Sequence, residues 1–297
     1  VTDFGLLEAG ERAAFHGRPA DGVAPLQQYL YSAWQSDPHR PRAQWLLGVC
    51  LAAGGMFGGA AAQLQPLLTV PADADPERRR FAAAAAGTLA SIHRQVGRFV
   101  EARNYDEWAG AIAPDDAKSA FDSVLGLAAD AVGAGAAQLA VEFVTQATSM
   151  CREDPEWWRE RVRLGWVQAE VSMLWDRPAD ARSVLLGSVA EAESVGAPRH
   201  VAKSLSFLGV AQQSLGDATA MMTLGRAALL AESLGAWPLV WSTRGLMAVL
   251  LRSSNPPEAE RCRRSAEHAV RIIAADLPAE LAEEWAARPD VAPLLVG

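Results

Sequence analysis

A turn built on Gly or on a short polar segment recurs about every forty residues, and a small side chain follows each one within a few positions. The series runs Gly17-Arg18-Pro19-Ala20-Asp21-Gly22, Gly55-Met56-Phe57-Gly58-Gly59-Ala60, Gly97-Arg98-Phe99-Val100-Glu101-Ala102 and Gly135 to Ala140. It continues with Asp176-Arg177-Pro178-Ala179-Asp180-Ala181, Gly216-Asp217 to Ala220-Met221, and Asn255-Pro256-Pro257-Glu258-Ala259. With the residue after each turn as marker (Gly22, Ala60, Ala102, Ala140, Ala181, Met221, Ala259), the spacings are 38, 42, 38, 41, 40 and 38. A second signal has the same period: Ala192-Glu193-Ser194-Val195-Gly196-Ala197 returns 39 residues later as Ala231-Glu232-Ser233-Leu234-Gly235-Ala236, with Pro198 or Pro238 close behind. A period of this length marks stacked supersecondary units, because one such unit cannot bury its apolar face alone.

The units are helical. Ala supplies 59 of 297 residues against four Ile and eight Thr, so the apolar half of the chain is mostly a strong helix former and seldom β-branched. Pro38, Pro41, Pro71, Pro76, Pro114 and Pro155 fall between units, where helices should begin or end. Two antiparallel helices meet closely at their turn, which explains the small residue there. The expectation is an all-α, single-domain α-solenoid of about seven antiparallel helix hairpins, at roughly 3–37, 38–76, 77–114, 115–154, 155–197, 198–236 and 237–276, each contacting its neighbours. Residues 277–297, with Trp285 and Val291-Ala292-Pro293-Leu294-Leu295-Val296, should cap the last exposed face.

This pattern resembles the tetratricopeptide repeat, on Leu47-Gly48, Gly55, Phe57 and Ala60, on Gly97, Phe99 and Ala102, and on Leu208-Gly209 with Gly216. Units near forty residues, Met221 in place of one Ala, and mostly absent closing Pro residues depart from the family. The longer unit is similar to the degenerate repeats in sensor regions of bacterial transcription regulators. The resemblance implies a right-handed superhelix with a concave binding face.

The formal charge of −8 argues against a nucleic-acid-binding domain. Arg outnumbers Lys by 25 to two, a skew that with abundant Ala, Gly and Pro suggests a GC-rich bacterial genome. Cys50, Cys151 and Cys262 lie about a hundred residues apart with no CxxC, which fits packed thiols in a reducing compartment. The first thirty residues contain Glu8, Glu11, Arg12 and Asp21 and no apolar core of a signal peptide, so a cytoplasmic location is expected. Trp45–Ala62 runs 18 residues without a charge, but Gly54, Gly55, Gly58 and Gly59 divide it, and a hairpin is favoured over a membrane span. Val1 is compatible with an alternative start codon or with a natural chain that is longer at this end.

Chemistry is sparse. His16, His39, His93, His200 and His268 lie in different units with no metal-ligand spacing, and the common cofactor and hydrolase motifs are missing. Asp115-Asp116, Glu153-Asp154-Pro155-Glu156 and Glu283-Glu284 read as caps or diverging surface pairs. No cofactor, no metal and no enzymatic activity are therefore expected.

Ten Trp residues are the unusual feature. Transferred through the resemblance, the groove-facing positions of the first helices are Arg42 and Trp45, Arg94 and Gln95, Arg163 and Trp166, Lys203 and Ser206, and Trp241 and Arg244. Alternating cations and indoles suit another protein or a peptide with acidic and apolar side chains. Replacing Trp166 and Arg163 together with Ala should then abolish capture while leaving the melting temperature nearly unchanged. Asn, which clamps ligand backbone in familiar members of the family, occurs only at Asn104 and Asn255, which disfavours that type of clamp. The expected role is a non-enzymatic interaction scaffold. The alternatives are a sensory or regulatory module whose DNA-binding part lies outside this chain, and an enzyme with a scattered concave-face site. The apolar end at Phe4, Leu6 and Leu7 could support a homodimer.

Overall fold

The computed structural model describes residues 4–71 and 73–295, so Val1 and Val296 lie outside the described residues. Among the described residues every regular element is helical. Fourteen of these helices fall into seven consecutive hairpins. They are α1 (Phe4–His16) with α2 (Pro19–Ser32), α3 (Arg40–Ala53) with α4 (Phe57–Leu64), α5 (Pro76–Gln95) with α6 (Phe99–Ile112), and α7 (Ala117–Gly133) with α8 (Ala137–Met150). The array continues with α9 (Trp158–Leu174) and α10 (Pro178–Ser194), α11 (Pro198–Ser214) and α12 (Ala220–Leu234), and α13 (Trp237–Leu251) and α14 (Pro256–Asp276). Two short helices, α15 (Ala279–Ala286) and α16 (Ala292–Leu295), follow.

One turn chemistry builds five of the hairpins. Gly55, Gly97, Gly135 and Gly216 hold φ of +83°, +88°, +70° and +67°, the left-handed region that a side chain disfavours. Asp176, at φ +54°, takes the same place with one of the few side chains that tolerate it. The next amide in each case (Met56, Arg98, Ala136, Arg177, Asp217) donates to the carbonyl five residues back at 2.8–2.9 Å, which satisfies the helix end in a Schellman arrangement. The small residues beyond the turns are buried: Ala60, Ala102, Ala140 and Ala181 are 0% exposed. In the sixth hairpin the buried residue is Ala220, one position before the expected Met221, so the small-residue rule holds there as well.

The Leu-Gly pairs also have a physical cause. A Cβ on Gly10, Gly48 or Gly209 would lie 2.4–2.6 Å from a side-chain carbon of Leu26, Leu64 or Leu224 on the paired second helix. Each Leu fills the space that its Gly leaves, and the helix axes approach accordingly. Side-chain caps fix other starts: Asp75 and Asp116 each accept from the amide three residues on, at 2.8 Å.

Each unit touches its neighbours, and some also touch units far along the chain. The superhelix is wound tightly enough to meet itself. One core joins Phe57, Leu64, Leu89, Ile92 and Val96 of the second and third hairpins to Val270 and Ile273 of α14 and to Trp285, Val291 and Leu294 beyond it. Arg98 pairs with Glu284 at 2.7 Å, and Arg288 donates to the Gln95 carbonyl at 2.8 Å. At the other end, α1 reaches α9 and α11: the His16 ring meets Trp158 at 5.5 Å and its Nδ1 lies 3.1 Å from the Val195 carbonyl. The segment after Leu277 therefore covers the last hairpin and also bridges it to the third. Trp45–Ala62 folds as the second hairpin around Gly54 and Gly55, and no helix among the described residues is long and apolar enough to cross a membrane.

Candidate functional site

The repeat places chemically equivalent positions of successive first helices side by side. The second residues of α7, α9 and α11 are Lys118, Arg159 and Arg199, and one helical turn later stand Asp122, Arg163 and Lys203. Asp122 is shared by Arg163 and, at 3.7 Å, by Arg159. Glu160 lies 3.4 Å from Arg159 and 3.6 Å from Lys118. The tight winding brings α1 and α5 toward this row: Arg159 sits 5.5 Å over the Phe15 ring, and Arg94 acts electrostatically on both Glu170 and Lys203.

An aromatic floor supports the cations. Trp166 stacks on His200 at 5.5 Å, donates from Nε1 to Ser204 at 2.8 Å, and carries the Lys203 ammonium 4.4 Å from its ring centre. Trp158 also meets His200, at 5.0 Å and edge to face. Beside this floor, Arg94 binds two buried carboxylates, Asp106 at 2.5 Å and Asp130 at 2.9 Å.

The environment shifts these groups strongly. Burial pushes Asp106 up to about 7 against the pull of Arg94, and Asp130 rises for the same reason. Burial opposes the charge on Arg94, but the fields and hydrogen bonds of the two carboxylates outweigh it and hold the guanidinium protonated. Lys203 is lowered to about 8 by burial, with Glu170 opposing and Arg199, Arg163 and Arg94 adding to the drop. Arg199 is lowered to about 10, by burial and then by Arg159 and Arg163. His200 is held well below its ordinary value by burial and four surrounding cations, so its ring is neutral. Glu170 is raised by burial.

Four residues expected at the groove, Arg94, Arg163, Trp166 and Lys203, thus converge on one region. The others are placed elsewhere. Arg42 pairs with Glu11 of α1 at 2.5 Å, and Trp45 lies between the rings of Phe15 and Phe81 with its Nε1 donating to Thr88 at 3.2 Å. The Gln95 side chain donates to the Ser91 carbonyl. Trp241 packs edge-on against Trp285, and Arg244 forms a two-pronged pair with Glu232 at 2.9 Å. Trp166 is only 7% exposed, so removing its indole removes core; the expectation of an unchanged melting temperature for the double Ala variant is corrected on that ground.

Arg159, Arg199, His200 and Glu170 are not among the groove positions expected from the sequence. Arg159 and Arg199 stand forty residues apart, one turn upstream of the positions chosen, and that spacing was the available signal. Among the described residues no group of His, Cys, Asp or Glu is arranged to hold a metal ion.

No family model matches the sequence, and neither does any curated protein. Solved structures do match. The Rap conjugation gene regulator of plasmid pLS20, in complex with the Phr* peptide, superposes with a TM-score of 0.67 at 15% identity, over 92% of this chain and 75% of that one. A Rap protein complexed with Competence and Sporulation Factor gives 0.57 at 14% identity, over 98% and 77%. A signal-transduction ATPase with a tetratricopeptide-repeat sensor, from Pyrococcus horikoshii, gives 0.53 at 13% identity, over 95% of this chain and 44% of that one. The turns, the Gly–Leu interlocks and these superpositions agree that the chain is a tetratricopeptide-like helical repeat.

Proposed function

We propose that the chain is a non-enzymatic, cytoplasmic binding scaffold whose single repeat domain holds a peptide or a segment of another protein on its concave face. The observation that carries this reading is the convergence of Arg94, Arg163 and Lys203 over the Trp166–His200 floor. Cations held in place by a buried aromatic base offer charge-assisted, bidentate hydrogen bonds to the acidic side chains of a ligand that also carries apolar ones. Two of the similar structures are named as complexes, with the Phr* peptide and with Competence and Sporulation Factor, which supports a peptide-sized ligand.

Panning a random-peptide display library against the wild type and against Arg163→Ala tests this. Enrichment of acidic and apolar sequences that is lost with Arg163→Ala supports the reading. No enrichment, or enrichment indifferent to the substitution, rejects it.

A second reading has one observation in its favour. This chain matches 44% of a signal-transduction ATPase described as having a tetratricopeptide-repeat sensor, which fits a sensory module whose effector lies on another polypeptide or segment. A partner carrying a DNA-binding or ATPase domain, recovered with the chain from native lysate, would favour it.

A further inference from the structure

Arg199 is placed unlike most of the half-buried arginines among the described residues. Arg94, Arg159, Arg161, Arg163 and Arg244 each meet a carboxylate. Among the described residues the Arg199 side chain has no hydrogen bond or ion pair, and its Nε is buried without a partner. Its neighbours in the field are cations, Arg159 and Arg163, together with the Cys50 thiol from α3. Directly after it, His200 is 1% exposed with Nδ1 unpartnered. A half-buried guanidinium with no counterion is unfavourable, and the buried Arg199 Nε and His200 Nδ1 without partners add to that cost.

The helix ends make the arrangement less favourable still. Arg159, Arg163, Arg199 and Lys203 all occupy the first two turns of α9 and α11, where the helix dipole is positive and favours anions over cations. The carboxylates at hand do not balance the four. Asp122 is divided between Arg159 and Arg163, Glu160 between Arg159 and Lys118, and Glu170 faces Lys203, which leaves no carboxylate for Arg199. The site remains open to solute: about a quarter of the side-chain surface of Arg159 and Arg163 meets solvent (24% and 23%). Folding alone has no use for this charge.

We infer that Arg159, Arg163, Arg199 and Lys203 form a binding site for a doubly charged oxyanion, either a phosphoryl group or a pair of adjacent carboxylates, seated with two prongs on Arg199. The inference rests on the reading of the concave face as the binding surface and names the group the ligand carries there. Such an anion supplies the counterion that Arg199 lacks and meets the positive ends of two helices. Neutral His200 on its Trp floor offers a further hydrogen-bonding group without adding charge.

The test uses the whole chain with sodium phosphate and sodium succinate as probes, against sodium chloride at matched ionic strength. Titration calorimetry and thermal melting are the readouts. Saturable binding of one or both dianions is expected, with a matching rise in melting temperature, and about a tenfold or greater loss of affinity in Arg199→Gln. Phosphate alone binding identifies a phosphoryl group, succinate alone identifies paired carboxylates, and both identify a site that reads charge. Without added anion, Arg199→Gln should melt at or above the wild type, because it removes an uncompensated charge. An equal phosphate effect in Arg199→Gln means an adventitious ion only and overturns the inference. So do absence of saturable binding in the wild type and a lowered melting temperature of unliganded Arg199→Gln. Loss of the anion site leaves peptide capture by Arg163 standing, and failure of peptide capture leaves the anion titration intact, so the two readings fail separately.

Discussion

The Asp276 carboxylate, at the C-terminal end of α14, accepts a hydrogen bond of 2.9 Å from the backbone amide of Gly59 in α4, 217 residues earlier in the chain. A repeat protein whose units touched only their neighbours would have no such contact. Here the seventh hairpin closes onto the second, and the groups on the inner face are held in a narrow space. That closure explains how Arg94, from the third hairpin, reaches the field of Lys203 in the sixth.

Gly58 permits the closure, because a Cβ there would lie 2.1 Å from the Asp276 carbonyl oxygen. Gly58→Val should therefore separate the two hairpins and cost about 1–3 kcal/mol, the usual range for overpacking. Small-angle scattering should show a larger radius of gyration with helicity unchanged. An unaltered radius would mean that closure does not depend on this contact.

The Gly–Leu interlocks predict opposite signs for one substitution. Gly209→Ala must displace Leu224, whose nearest side-chain carbon would lie 2.6 Å from the new Cβ, and should destabilise by about 1–3 kcal/mol. Gly187→Ala in α10 and Gly225→Ala in α12 meet nothing within 4 Å and should stabilise by about 0.5–1 kcal/mol through helix propensity. Denaturant midpoints of the three variants decide this, and the same sign in all three would contradict it.

Turns and interlocks could be read from the sequence because they are local. A left-handed turn needs Gly at Gly97, and close approach needs Gly at Gly48, whatever the distant surroundings. The closure could not be read this way. It depends on the summed rotation of five hairpins, and nothing near Gly58 or Asp276 in the sequence records their meeting. The site divides similarly: Arg163 and Lys203 were within reach of a repeat register, whereas the solitary state of Arg199 depends on which acids the winding brings near it. Trp166 was expected as a binding surface because indoles dominate interfaces, but the stacking of the fifth and sixth units buries it.

The Arg94 cluster predicts a pH dependence. One guanidinium serves two buried carboxylates, so one of them is held protonated. Asp106, raised from 3.8 to about 7, is harder to ionise folded than unfolded. Its contribution to stability is fully present below about pH 4 and is lost as pH rises through 7. Arg94 and Arg163 oppose this rise, while Asp130 shares its direction. Urea denaturation should give a higher midpoint at pH 5 than at pH 8 from this group, and Asp106→Asn should flatten that slope. A slope preserved in the variant would assign it to other groups.

Lys203 offers a direct spectroscopic test, because Lys118 is the only other lysine in the chain. Its ammonium is enclosed over Trp166, and burial with Arg199, Arg163 and Arg94 around it lowers its pKa from 10.5 to about 8. The sign is that of a base disfavoured in its charged form. The folded state carries the full penalty below pH 8 and is relieved of it between pH 8 and the unfolded value of 10.5. Reductive methylation with a carbon-13 label gives one resonance per lysine, and the Lys203 signal should titrate with a midpoint near 8. Lys203→Met, which keeps the stem and removes the charge, should raise the denaturation midpoint at pH 7 and abolish the gain between pH 8 and 10. An ordinary lysine midpoint would mean that solvent reaches Lys203 freely, and the enclosed cationic site would then lose its strongest electrostatic support.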